Sequence, residues 1–371
     1  MTNHINIQPV SSNDAVSGLA GGIANGIVSG IANGNFAEME IMPLRFGTLT
    51  IKFPFIQAAL SGYSDLPMRM ISRRFGAEFT ISEVLLDQFV VTVSNRKSRL
   101  YFAGEEEHPC GVQLMGNEPN LMCRAVERLI DAGFDLVDLN FACPVKKVLS
   151  RGRGGWLLNE PDIAIKIIEQ ISRVISGAVP LTIKLRKGFD DTQLSRNNFF
   201  KILDNAVDLG VQGVTVHGRT VKQRYEGTSD WNFIRSVKEY LVEGGNSKLA
   251  VVGSGDIFDA ETALLRLRES CVDGIALARG AIGNPWIFRN IKSLVCGQGK
   301  LKPPNLQEQK DVLKIHFDLT VNLYGESKAP TTMRAFAVHY CKLHPEMAEV
   351  RADFVRVKNV NDWNKVLEKW Y

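Results

Sequence analysis

The chain lacks most of the features that announce a function directly. Its six cysteines (Cys110, Cys123, Cys143, Cys271, Cys296 and Cys341) are scattered and form no CxxC pair. That argues against a structural zinc site and against a secreted disulfide framework. No apolar run reaches the length of about 18 residues that a membrane-spanning helix needs. One sign of charge does not dominate either: 44 Lys and Arg face 40 Asp and Glu, a net +4. Any nucleic-acid site must therefore come from local clustering. A Gly-rich dinucleotide fingerprint is also missing, since only SGYSD (Ser61–Asp65) follows the first strand-like run. What is present is an ordinary globular balance, 45% apolar and 23% charged over 371 residues. That length suits one large domain with a smaller appendage, and the natural setting is a reducing cytoplasm.

Residues 1–42 differ from the rest. Ser17–Asn35 reads SGLAGGIANGIVSGIANGN, with GIANG twice. So much glycine costs backbone entropy on ordering and sustains no amphipathic face, so a flexible leader is expected. From Pro43 a regular beat begins. Apolar runs of strand length occur at 55–60, 78–82, 110–114, 136–140, 180–184, 213–217, 249–253 and 274–278. Helix-like segments follow most of them, at 119–132, 161–175, 196–209, 260–267 and 286–295. Strands alternating with helices imply parallel pairing. Eight of them across about 250 residues predict a closed (β/α)₈ barrel over 43–300, with a doubly wound open sheet as the rival. Past the Pro303–Pro304 linker the beat stops. Residues 305–371 show helical spacing (Val312, Ile315, Leu319, Leu323) and predict a small helical domain.

In such a barrel the active site lies at the C-terminal ends of the strands. Polar and reactive side chains recur there: Ser61, Ser82 and Glu83, Gln113, Asn140 with Cys143, Lys184 with Arg186, His217 with Arg219, Ser254 to Asp256, and Arg279. GSGD (Gly253–Asp256) and ARG (Ala278–Gly280) follow strands seven and eight, where barrels cradle phosphate. Lys184, ending an apolar strand, is costly unless it meets an anion. A reduced flavin would supply one; a Schiff-base role fits the position equally well. Cys143 precedes a basic loop with Lys146, Lys147, Arg151 and Arg153, and Arg219, Lys222 and Arg224 follow strand six. These two loops read as a rim for RNA phosphates.

Five segments now carry a family resemblance. DLNFACPVKKVLSRGRGGWLL, TIKLRKG, VHGRTVKQRYEGTSDW, VVGSGDI and GIALARGAIGNPWIF, in that order, resemble the tRNA-dihydrouridine synthases over about residues 43–295. The resemblance implies an FMN barrel with NADPH as reductant, tRNA as substrate and a helical C-terminal RNA-binding domain. It implies that Cys143 protonates carbon 5 of uracil while flavin nitrogen 5 delivers hydride to carbon 6, with Asn140 beside it. It implies Gln113, Lys184 and His217 around the flavin, Ser254, Gly255, Asp256, Ala278 and Arg279 at its phosphate, and Ala59, Leu60 and Ser61 beneath its ring. Departures are Ala59–Leu60 for Pro-Met, Ala142 for Gly, Ser254 for Asn and Ala278 for Gly. In MRAFAVHY, Arg334 is kept as an RNA contact while Ala335 and Phe336 stand for a Lys-His pair, two further RNA contacts in relatives. Alternatives remain open at this level: reduction of uridine in rRNA, another FMN barrel acting on a small pyrimidine or enone, an aldolase using Lys184, or a non-catalytic RNA-binding factor, against which Cys143 speaks.

Overall fold

A computed structural model describes Phe36 and residues 39–93 and 101–371; most of the expected leader lies outside them. The first elements are a short antiparallel pair, β1 (Leu44–Phe46) and β2 (Leu49–Ile51). The barrel beat then begins with β3 (Phe55–Gln57), α1 (Leu66–Arg74), β4 (Thr80–Leu86) and α2 (Asp87–Thr92). It continues through β5 (Cys110–Met115), α3 (Pro119–Asp131), β6 (Leu136–Phe141), the one-turn α4 (Lys146–Leu149) and α5 (Pro161–Ile175). It closes with β7 (Leu181–Arg186), α6 (Gln193–Asp208), β8 (Gly213–His217), α7 (Trp231–Glu243), β9 (Ala250–Ser254), α8 (Ala260–Ser270), β10 (Gly274–Leu277) and α9 (Trp286–Val295). Strands β3 to β10 form a closed barrel in sequence order, each parallel to its neighbours, with β10 pairing β3. The expected (β/α)₈ barrel is what forms, and an open doubly wound sheet is ruled out.

Two hydrophobic layers hold it. Inside the barrel lie Ile56, Ala58, Phe79, Ile81, Leu136, Ala250, Val252 and Ala276. The β1–β2 pair plugs its N-terminal end with Leu44, Phe46 and Ile51. Gly213 and Gly274 make room for the plug: a Cβ there would lie 2.5 Å from Phe46 and 2.9 Å from Leu44. The outer layer packs strands against helices and runs on without a break into the C-terminal helices. Each fully buried Leu, Ile or Phe in these layers contributes about 1.5–3 kcal/mol.

The strand limits differ from the sequence reading at two site-forming places. β3 ends at Gln57 rather than at residue 60, so Ala58–Ser61 form a loop. β4 runs to Leu86 rather than stopping at Ser82, because its register against β5 shifts between Ile81 and Val84. Ser82 and Glu83 therefore sit at an irregularity, not at a strand end. Four helices are not among the segments read from the sequence: the short α2 and α4, and α1 and α7, whose caps are ordinary. Asp65 caps α1 through Met68 N–H at 3.1 Å, and Asp230 caps α7 through Phe233 N–H at 3.0 Å.

The segment from 305 onward is helical, as expected: α10 (Leu306–Tyr324), α11 (Ala329–Tyr340), α12 (Met347–Arg356) and α13 (Val360–Trp370). Asn305 and Glu308 form a capping box that starts α10. Phe317 stacks on Trp363 at 4.6 Å inside this group. Tyr340 meets Trp286 of α9 edge-on at 6.2 Å, and Tyr324 donates a hydrogen bond to Asp65 at 3.1 Å. The helical unit is thereby seated beside the C-terminal rim of the barrel.

Candidate active site at the barrel mouth

The C-terminal strand ends surround a cavity of about 620 Å³. Its wall includes Cys143, Ala59, Leu60, Ser61, Gln113, Asn140, Lys184, His217, Ser254, Gly255, Asp256, Ala278 and Arg279. Strand register explains the convergence, for Asn140 pairs with Lys184, and Arg186 with His217, which in turn pairs with Ser254. Residues at one level of neighbouring parallel strands face the same interior.

A chain of buried hydrogen bonds fixes the thiol loop. Thr182 Oγ1 and Gln113 Nε2 donate to the two oxygens of Asp138 at 2.8 and 2.6 Å. Asn140 Nδ2 donates to Gln113 Oε1 at 2.6 Å, and Asn140 Oδ1 accepts the backbone N–H groups of Ala142 and Cys143, each at 3.0 Å. Arg186 closes the loop from the other side, donating to Ala142 O at 2.9 Å and to Thr220 O and Arg224 O at 2.8 Å. Behind it Gly155 N–H donates to Cys143 O at 3.0 Å. Gly154 has φ +59° and a Cβ there would come within 2.9 Å of Cys143 Cβ, so only glycine fits that approach. Burial pushes the Cys143 thiol up, and the Val145 N–H and Arg186 offset this only in part. At neutral pH it is a protonated thiol, as a proton donor must be.

Lys184 is the unusual cation. Its Nζ is out of contact with solvent and has no hydrogen-bond partner. Burial lowers its pKa to about 8 despite the nearby Asp138 carboxylate. An orphaned ammonium in a cavity fits an anionic ligand. His217 is held neutral: burial, then Lys184, Arg186, Arg219 and Arg279, lower it to about 2. At the β9 and β10 end, Asp256 is gripped by Arg219 at 2.7 Å and Arg279 at 3.1 Å and accepts Ser229 N–H at 2.9 Å. Gly255 has φ +126°, and any Cβ there would collide with Ser229. That leaves a bare backbone turn beside Arg279, suited to a phosphate.

The basic residues assigned to an RNA rim divide into two groups. Lys146, Lys147, Arg151 and Arg224 are exposed, as is Lys222, which bonds Asp190 at 2.8 Å. Arg219 is different: it is only 2% exposed and its guanidinium is engaged by Asp256, so it holds the loop rather than facing solvent. Arg153 is likewise drawn inward, to Asp87 at 3.4 Å and Asn117 at 3.2 Å. Arg334 does not line the cavity; it reaches Val355 O at 3.4 Å. Sequence reading missed Asp138, whose alternation with Asn140 in LVDLNF was the available signal. It also missed Tyr63, Tyr225 and Phe258, and it missed His339 and Lys342, which line the cavity from the C-terminal helices. Nothing in the sequence ties those two to the barrel mouth.

Comparison with known proteins agrees with this geometry. The family model described as dihydrouridine synthase matches residues 56–370. A probable tRNA-dihydrouridine synthase of Rickettsia conorii is 34% identical over 328 residues, 88% of this chain and 95% of that protein. The tRNA-dihydrouridine synthase B of Xanthomonas campestris pv. campestris is 32% identical over 313 residues, 83% of this chain and 90% of that one. Among solved structures, histamine dehydrogenase from Rhizobium sp. 4-9 shares the fold, with a TM-score of 0.55 and 15% identity over 90% of this chain and 64% of that one. With its barrel, its cavity and these relatives in agreement, the chain belongs to the dihydrouridine synthase family.

Proposed function

We propose that this protein reduces uridine to 5,6-dihydrouridine in tRNA, with FMN as its bound flavin and NADPH as the reductant. The observation that carries the reading is one cavity holding a protonated, backbone-anchored thiol and an orphaned buried ammonium, Cys143 and Lys184. Arg279 with the Ser254–Asp256 and Ala278 turns would take the FMN phosphate, Ala59–Ser61 would underlie the ring, and Gln113, Asn140, Lys184 and His217 would surround it. A bound flavin supplies the hydride for carbon 6 of the uracil. Lys184 offsets negative charge on that group, and neutral His217 offers one N–H donor and one acceptor nitrogen. The charge that hydride addition leaves on the uracil is quenched by the proton of the Cys143 thiol, delivered to carbon 5; the thiolate recovers a proton from solvent. Arg186, Asn140 and Gln113 keep that thiol in place. The target base must leave its stack to enter, which suits single-stranded or loop nucleotides. Residues 305–371 serve as the RNA-binding helical domain, Lys146, Lys147, Arg151, Lys222 and Arg224 as rim contacts, and the cytoplasm as the site of action. No helix among the described residues is long and apolar enough to cross a membrane.

Flavin content tests the reading at its base. The purified protein should show flavin absorbance, and Arg279→Glu should lose most of it by reversing the charge at the phosphate. Protein that takes up no flavin even on reconstitution with FMN would overturn the proposal.

A further inference from the structure

Four basic side chains line the cavity: Lys184, Arg186, Arg279 and Lys342. Three of them are accounted for. The Lys184 ammonium is buried, Arg186 is used by three backbone carbonyls, and Arg279 pairs with Asp256. Lys342 alone is exposed and, among the described residues, has no carboxylate within ion-pair distance. It comes from the turn after α11, not from the barrel. One turn earlier on the same unit, His339 also lines the cavity.

His339 is held in a fixed pose. Its ring stands edge-on to Tyr63 at 5.6 Å, and its Nε2 lies 3.4 Å from the Tyr63 hydroxyl. Its Nδ1 has no hydrogen-bond partner and is out of contact with solvent. Gly283, at φ +64°, lets the loop after β10 press directly on the helix. A Cβ there would lie 2.5 Å from Tyr340 N and 2.7 Å from His339 Cβ. After burial, the charges that act on this imidazole are both positive, Lys342 and Arg351, and they keep it neutral. Arg351, on α12, is exposed and has no ion pair among the described residues. Lys342 and the His339 ring thus meet at the mouth, with Arg351 near enough for its charge to act on the imidazole.

A nucleotide whose base enters this cavity brings its own phosphodiester to the mouth. We propose that Lys342, with Arg351 beside it and the His339 ring as its wall, forms the subsite for that phosphodiester: the lysine and arginine supply charge, and the fixed imidazole sets the edge against which the backbone lies. The subsite rests on the uridine-reduction reading. It gives the helical unit a direct part in placing the target nucleotide, which Arg334 does not have.

The test uses the full-length, flavin-loaded enzyme and unmodified tRNA, with Lys342→Ala, Arg351→Ala and the double variant. Lys166→Ala, on the outer wall of the barrel, serves as the matched loss of one charge. Each lost phosphate contact should flatten the log–log salt dependence of tRNA binding by about 0.7–0.9. The Michaelis constant for tRNA should rise with kcat held, reduction of the flavin by NADPH should be unchanged, and Lys342→Arg should restore the slope. A double variant with wild-type slope and Michaelis constant, from an enzyme that does form dihydrouridine, would overturn the subsite. A wild-type enzyme that forms no dihydrouridine would instead overturn the reading beneath it, so the two failures are distinct.

Discussion

At Cys143 and Lys184 the chemistry depends on where two protons sit. Burial keeps the Cys143 thiol protonated, and Asn140 fixes its backbone. Cys143→Ala should therefore keep its flavin and still oxidise NADPH, but lose dihydrouridine formation by about 10²–10⁴-fold, the range for a positioned acid. Undiminished turnover would remove the thiol from the mechanism. Lys184 makes a stability prediction. Its pKa falls from 10.5 to about 8 on folding, so between those values the unfolded chain binds more protons and stability rises with pH. Below about pH 8 the full cost of the buried ammonium is present. Lys184→Met should thus raise the Tm of the flavin-free protein at pH 7, and the gain should fade from pH 8 to 10.5, while flavin binding weakens. A lower Tm at pH 7 would contradict this. The cavity-lining Cys143, Lys184 and His217 were legible because strand ends in this barrel face one mouth. Arg219 was misread because a loop arginine in sequence carries no sign that Asp256 will bury it.

Among the elements, strands were more legible than caps and junctions. All eight barrel strands stood out as apolar runs bounded by turn residues. The extension of β4 did not, because it depends on a register shift against β5 that no local pattern encodes. The loop after β6 is the element with most to test. It leaves the strand at Cys143 and Pro144, turns once through α4, and exposes Lys146, Lys147 and Arg151. Its base is pinned by Gly155 N–H and Arg186, so these charges sit on a braced scaffold rather than a free tail. Replacing all three by Ala should raise the Michaelis constant for tRNA and reduce the salt slope of binding by about 2–3. Flavin reduction by NADPH should not change, because none of the three lines the cavity. A triple variant with unchanged affinity and slope would place the RNA elsewhere.

For the whole molecule, the decisive feature is that barrel and C-terminal helices share one mouth. Their packing through Trp286, Tyr340 and Phe336 lets residues far apart in sequence, Cys143 and His339, line a single cavity. Such long-range closure is invisible to periodicity and spacing, which is why helical spacing alone predicted a small domain after the linker without tying it to the cavity. The net charge of +4 likewise hides the local concentration of cations at this mouth. Incubation of unmodified tRNA with the purified protein, FMN and NADPH, followed by mass spectrometry of the digested nucleosides, tests the proposed activity most directly. Uridine should gain one pair of hydrogens at a defined tRNA position, in step with NADPH consumed. Flavin-loaded protein that oxidises NADPH yet leaves every uridine unchanged would contradict it.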